Sequence, residues 1–329
     1  MKLELSNGEM ISVLGDPHLG RSFIHGVPLH RRGDREAEQW AEFERHLNDV
    51  EGVDYHICVG DLFDKFVVSH ETLFKAVEVY TRAALRNTDV TYYVIRGNHD
   101  GSRDAEKVSS FDLFSALINS DFAEYTIRTV VNASDAFGPI AFVPWHPFTP
   151  AVEMVQQLPE LPFEYIFGHW DIDSFGHENP NLVPLEELAK RTKHIVTGHI
   201  HTPEEREPLP GVKLTVTGSM LPYSHSEDPK AEKYVSLTLK QLDELDLESL
   251  KNKCVRILLN PGEDVPDIDC LQLTTKRIET KEDQEPEEVV IEDFNLKALF
   301  SDVMTEFKVD ASVVEEAWQL VEAQKGVEA

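Results

Sequence analysis

The run "VTYYVIRGNHD" (residues 90–100) decides how this chain is read. An apolar, strand-like stretch stops at Gly97, and Asn98, His99 and Asp100 follow at once. Neither Asn nor His favours a strand or a core. Both can offer a neutral lone pair or a proton to something charged. Four other segments share this grammar of apolar run, glycine and polar cluster: "ISVLGDPHLG" (11–20), "YHICVGDLFD" (55–64), "EYIFGHWDID" (164–173) and "HIVTGHIHT" (194–202). A sixth, "KLTVTGSMLP" (213–222), keeps the run and the glycine without the ligands.

Short β-branched and aromatic runs bounded by glycine predict strands buried on both faces. Between them lie helical patterns. "REAEQWAEFERHLNDV" sets Ala37, Trp40, Phe43 and Leu47 on one stripe, and "HETLFKAVEVYTRAAL" does the same with Leu73, Val77, Tyr80 and Ala84. Strands alternating with helices imply an α/β layer structure, in which ligands gather at the carboxyl ends of strands. Every polar cluster follows its strand, so the clusters can converge.

The residue types in those clusters point to metal. Asp16 and His18, two apart, can face the same way from an extended strand end. Asp61 can bridge two ions, Asn98 offers an amide oxygen, and His169, His199 and His201 offer imidazole nitrogen. This mixed nitrogen and oxygen set suits two borderline divalent ions, more naturally Mn, Fe or Zn than Ca. Such a pair clamps a phosphate and acidifies a water. His99 is then left to protonate or stabilise a leaving oxygen, with Asp64 placed to orient its ring. Asp100, Asp171 and Asp173 read either as supports for the ligands or as strand-end caps. His46, His56 and His194 read as structural, and His146 as part of a rigid turn near the site floor.

Charge narrows the partners. The formal net charge of −29 argues against a free-standing nucleic-acid binder, because polyphosphate affinity comes from local Lys and Arg. Residues 241–329 carry 23 Asp/Glu against 9 Lys/Arg, a net −14, which leaves −15 for the first 240 residues. Metal ions or a partner would have to supply the positive charge. Arg31, Arg32 and Arg35 after the first cluster, and Arg103 after the third, are candidate phosphate contacts. Cys58, Cys254 and Cys270 are too scattered for a disulfide framework or a Cys-x-x-Cys site and fit a reducing compartment. With no leader-like start and no membrane-length apolar run, a soluble, cytoplasmic protein is expected.

The organisation expected is a main domain over 1–240, closed by the strand "KYVSLTLK", then a small α+β region over 241–278. The stretch "ETKEDQEPEE" marks an acidic linker over 279–289. Two helices follow over 290–329, with Leu296, Leu299, Phe300, Val303 and Phe307 on one apolar face and Trp318 on the next. Such faces either pack on their own domain or dock on a partner.

The ordered set DxH, GDxxD, GNHD, GH and GHxH, spanning residues 16–201, resembles the calcineurin-like metallophosphoesterase superfamily. "VPWHPF", "FGHWDI", "VTGHIHT" and "TGSMLPYSHSEDPKAEKY" further resemble SbcD-type nuclease subunits, closest to recombination endonuclease subunits of large bacteriophages. The resemblance implies a four-layer α/β/β/α sandwich with a small capping region and C-terminal helices. It implies Asp16, His18, Asp61 and His201 on one ion, and Asp61, Asn98, His169 and His199 on the other, with His99 acting on the leaving group. Some members of the meiotic-recombination nuclease branch carry His where this chain has Asp64, whereas bacterial relatives carry Asp. The implied activity is a manganese-dependent DNA phosphodiesterase, with magnesium as the second option. It would combine 3′→5′ exonuclease and single-strand or hairpin endonuclease action, as a homodimer within a heterotetramer with an SbcC-like coiled-coil ATPase. The metal motifs alone also allow a small-molecule phosphomonoesterase or cyclic-nucleotide phosphodiesterase. A non-catalytic DNA-end-holding subunit would be expected to lack ligands, and none is missing.

Overall fold

The computed structural model describes residues 1–278 except 103, 105–106, 122–126 and 175, together with Val313 and Trp318. Residues Met1–Arg277 form one compact unit and Ile278–Ala329 a second. The expected helical positions Leu296, Leu299, Phe300, Val303 and Phe307, and Arg103, lie outside the described residues. Val313 and Trp318 are helical, the first exposed and the second buried.

Two sheets carry the fold. The first runs in the order β1 (Lys2–Glu4), β2 (Met10–Leu14), β3 (Tyr55–Cys58), β4 (Thr91–Ile95), β5 (Ile127–Val130), parallel except at β1. The second contains β6 (Asp135–Phe137), β7 (Ile140–Val143), β8 (Tyr165–Gly168), β9 (His194–Thr197), β10 (Glu204–Leu209) and β11 (Val212–Val216). Its order is β10-β11-β9-β8-β7-β6, with the four inner strands parallel and both edges antiparallel.

The period-two alternation of these strands explains the layers. Ile11, Val13, Ile57, Tyr93, Ile95, Ile140, Phe142, Phe167 and Val196 face one another between the sheets. Their strand neighbours Leu14, Cys58, Tyr92 and Val94 face α1 (Asp34–Asn48), α2 (His70–Arg86) and α3 (Ser110–Asp121). Ala141, Val143, Ile166 and Ile195 pack with α4 (Ala151–Gln156) and α5 (Leu185–Leu188). Because both faces are apolar, the strands read as continuous hydrophobic runs. The result is the four-layer α/β/β/α sandwich.

A third sheet spans the expected boundary at residue 240. The strand "YVSLT", expected to close the main domain, is β12 (Tyr234–Thr238). It pairs in parallel with β13 (Cys254–Leu259), which pairs with β14 (Gln272–Arg277). Between β12 and β13, α6 (Leu239–Asp243) starts on a capping box made by Thr238 and Gln241. β12 thus belongs to the third sheet, because an alternating strand does not specify which sheet it joins.

Candidate metal centre

The candidate ligands sit where parallel strands of both sheets end. Asp16 and His18 follow β2, Asp61 follows β3, Asn98 and His99 follow β4, His169 follows β8, and His199 and His201 follow β9. The loops continue to bond sideways past the strand ends: His18 N–H donates to Asp61 O at 2.9 Å and Leu19 N–H to Leu62 O at 2.8 Å. From the helix layer, buried Gln39 of α1 donates to the carbonyls of Pro17 (2.9 Å) and His18 (2.8 Å). The first cluster is thus held from below.

Backbone conformation marks the same residues. Among the described residues four non-glycines have φ in the left-handed region, and three are His18 (48°), Asp61 (49°) and His199 (75°). Such strain persists where surrounding structure over-determines it, which is common at functional sites. Close approach explains one glycine of the grammar. A Cβ on Gly97 would land on the Asp61 main chain and carboxylate.

At one pole, His169 Nδ1 lies 2.9 Å from Val59 O and His199 Nε2 lies 2.7 Å from Asp171 Oδ1. Both partners only accept, so these nitrogens carry the protons, and His169 Nε2 and His199 Nδ1 are left as lone pairs. Yet those two atoms lie 2.8 and 2.9 Å from Asn98 Oδ1, and His169 Nε2 lies 3.4 Å from Asp61 Oδ1. Acceptors converging this closely call for a cation among them. Consistently, His169 is raised to about 9: its burial opposes charge, but Asp61 and Asp16 outweigh it.

At the other pole, His18 Nε2 and His201 Nε2 face each other at 2.9 Å, and Asp16 Oδ2 lies 3.8 Å from His201 Nε2. Glu227 Oε2 sits 3.4 Å from His201 Nδ1 and fixes its tautomer. Asp61 Oδ2 reaches to 3.8 Å from His18 Nε2, so one carboxylate touches both poles. Asp16 and His18 are buried, and Asp16 Oδ1 and His18 Nδ1 have no hydrogen-bond partner among the described residues. Burial pushes Asp16 up to about 6 and His18 down to about 3. Burial also pushes Asp61 upward, but His169, His18 and His99 together hold it well below the usual carboxylate range. The triplets Asp16–His18–His201 and Asp61–His169–His199 each place their ligand atoms within 4.8 Å of one another, as does His18–Asp61–His99 between them. The donor set fits a pair of divalent cations.

His99 is exposed, and its main-chain N–H donates to Asp61 Oδ1 at 2.8 Å. Its ring is not oriented by the Asp64 carboxylate as expected. Nδ1 lies 2.7 Å from the Asp64 main-chain oxygen, while Asp64 Oδ1 takes Arg21 Nη1 at 3.3 Å and lies 3.9 Å from His18 Nδ1. The chain turns back at residue 64, which brings the carbonyl, not the side chain, to the ring. Asp100 proves to be a structural clamp. Its buried carboxylate accepts from Leu62, Phe63 and Gly97 N–H at 2.9–3.0 Å, tying the β3 and β4 loops together. Burial raises it to about 8.

The arginine cluster splits. Arg32 is exposed, whereas Arg31 bonds Asp34 and the Lys251 carbonyl. Arg35 is 4% exposed, with its guanidinium over the Phe23 ring at 4.0 Å and the Tyr234 ring at 5.1 Å. Arg35 therefore binds the small sheet to the sandwich instead of lining the surface. Two supports escaped sequence reasoning. Glu227 lies within the quoted stretch "TGSMLPYSHSEDPKAEKY", but nothing in it singled out this carboxylate as the partner of His201. The hold of Asn179 Nδ2 on Asp171 Oδ2 (2.9 Å) had no sequence signal either.

Fold and donor set together fit a binuclear, metal-dependent phosphoesterase. Residues 10–203 match the calcineurin-like phosphoesterase family, and the chain belongs to it. Over 238 residues the chain is 27% identical to the DNA double-strand break repair protein Mre11 of Halobacterium salinarum, covering 68% of this chain and 55% of that protein. The chain thus spans little more than half the length of that relative. A dimetal phosphatase from Danio rerio overlaps 64% of this chain and 87% of its own, at 12% identity and a TM-score of 0.34, a likeness too slight to bear on the chemistry. Among the described residues no helix is long and apolar enough to cross a membrane.

Proposed function

We infer that the chain is a DNA phosphodiesterase, the nuclease subunit of an SbcC/SbcD-like complex. It would act as a 3′→5′ exonuclease on duplex ends and an endonuclease on single strands or hairpins. The observation that carries this reading is the placement of exposed His99 against Asp61, a carboxylate whose two oxygens reach histidines of both poles. The kinship with a DNA break-repair protein supports DNA as substrate.

Asp16, His18, Asp61 and His201 would hold one divalent ion, and Asp61, Asn98, His169 and His199 the other, manganese being the best fit to the donor set. Bound there, the ions would neutralise phosphoryl charge and acidify a water. The remaining work falls to the protein. Val59, Asp171 and Glu227 fix the imidazole tautomers. The Asp64 carbonyl holds His99 Nδ1–H, so Nε2 is the atom that serves the leaving oxygen. As water forms its bond to phosphorus, the bond to the leaving sugar oxygen breaks with its electron pair on that oxygen. The doubly protonated His99 ring gives its Nε2 proton to that oxygen, and the proton lost by the attacking water restores the ring through solvent.

A net charge of −29 leaves little to hold duplex DNA, so a partner's basic surface is part of the proposal. The partner would be a coiled-coil ATPase gripped through residues 290–329, with Arg31, Arg32 and Arg103 as candidate phosphate contacts. The test is cleavage of a defined hairpin and a blunt duplex with manganese, with and without the ATPase. Turnover of small phosphomonoesters but of neither DNA would replace this reading with the phosphomonoesterase one. Deleting 290–329 should abolish ATPase association while manganese-dependent nicking of single strands survives.

A further inference from the structure

Two cavities meet at the metal centre, and they differ in chemistry. Both are bordered by Asn98 and Gly101. On the His99 side lies an open trough with Arg21, Lys65 and Phe66 in its wall. On the His199 side lies a cavity of about 370 Å³ bordered by Trp145, His146, Phe148, Thr149, Asn179 and Asn181. The trough carries two cations, Arg21 paired with Asp64 and Lys65 exposed. The cavity carries none: its acidic member, Asp171, is spent on His199 and Asn179.

The cavity wall is pre-organised. Prolines at 144, 147, 150 and 180 restrict the backbone around it. His146 Nδ1 accepts from Phe148 N–H at 3.2 Å and Thr149 N–H at 2.9 Å, which pins the turn and leaves Nε2–H as a donor. A Cβ on Gly101 would land on the Trp145 ring, so the glycine lets the divide between the two cavities lie flat. Phe148 stands 56% exposed at this wall. A large aromatic kept in water beside amides and a hydroxyl, in a volume within the range of ligand pockets, suits a flat uncharged ring with polar edges.

We propose that this cavity is a nucleoside subsite. It takes the nucleoside that stays esterified to the cleaved phosphate, its base stacked on Phe148 and its edge met by Thr149, His146 and the Asn179–Asn181 pair. The departing chain lies on the opposite side, along the trough with Arg21 and Lys65, where His99 serves the leaving oxygen. The assignment rests on the phosphodiesterase reading above, and it adds which side of the cut the protein recognises.

Two chromogenic diesters with one leaving group separate the possibilities: thymidine 5′-(p-nitrophenyl phosphate) and methyl p-nitrophenyl phosphate, with the full chain and manganese. The wild-type protein should favour the thymidine ester in kcat/KM by about tenfold or more, as base–aromatic stacking commonly gives. Phe148→Ala should bring the ratio near one, and Phe148→Trp should restore it. Equal turnover of the two esters by the wild type, or a preference that survives Phe148→Ala, would overturn the subsite alone. Turnover of neither ester would overturn the phosphodiesterase reading and the subsite with it.

Discussion

His99 is held by the main chain of Asp64: the ring nitrogen Nδ1 and the carbonyl oxygen lie 2.7 Å apart, while the Asp64 carboxylate faces Arg21. The two residues therefore respond differently to substitution. Asp64→Asn keeps the carbonyl and loses only the ionic part of the contact with the half-buried Arg21, so manganese-dependent turnover should stay within about tenfold of the wild type. His99→Ala should lose about 10²–10⁴-fold while still binding manganese. Single-turnover rates for the two variants decide the matter. A collapse in Asp64→Asn as deep as in His99→Ala would mean that the carboxylate takes part in the chemistry.

Each pole has its own supporting carboxylate. Asp171→Ala should weaken manganese binding about 10–100-fold at the pole of His199, and Glu227→Ala should do the same at the pole of His201. Asp61→Ala should disturb both. Calorimetric titration, with electron paramagnetic resonance of the loaded protein to report ion pairing, distinguishes one weakened ion from two.

The Asp100 carboxylate serves three main-chain donors at once. Asp100→Ala strands them in the interior, at about 1–3 kcal/mol each when no other acceptor is found. The urea midpoint should fall accordingly in chelator-containing buffer. Asp100→Asn, which keeps an accepting oxygen, should recover much of the loss.

His46 and His56 form a ring-nitrogen pair at 3.1 Å beneath the first sheet. Burial pushes His46 down to about 4 from an ordinary 6.5, and His56 well below 6.5. Both are therefore neutral in the fold, while the unfolded chain protonates them below 6.5. Their contribution is complete above that pH and is lost as pH falls toward 4, by about 3 kcal/mol for His46. A His46→Gln/His56→Gln variant should show a shallower decline of urea midpoint from pH 7 to 4.5. Parallel declines in the two proteins would refute the account.

The legibility of the sequence followed the physics. The five strand–glycine–polar segments could be read locally because strand, turn and polar side chain are neighbours in the chain, and the structure brings all seven candidate ligand side chains together. Helix stripes were legible in part. Phe43 and Leu47 are buried as the period predicts, but Ala37 is exposed and Gln39 is buried in its stead. Gln39 turns inward because it serves the Pro17 and His18 carbonyls, a contact no periodicity reveals. Arg35 read as surface charge for the same reason: its aromatic partners Phe23 and Tyr234 are distant in sequence. Glu227 and the sheet membership of β12 depend likewise on where the chain returns after long excursions.

The donors come from both halves of the sandwich: Asp16, His18, Asp61 and Asn98 from the first sheet, His169, His199 and His201 from the second. Metal held there would therefore add a rivet across the interface between two layers joined by apolar packing and by hydrogen bonds such as Ser6–Glu164 and Trp145–Arg96. Stripping the ions should let the strand-end loops open as a group, so that their amides exchange with solvent together and faster, while the mid-strand amides keep their protection.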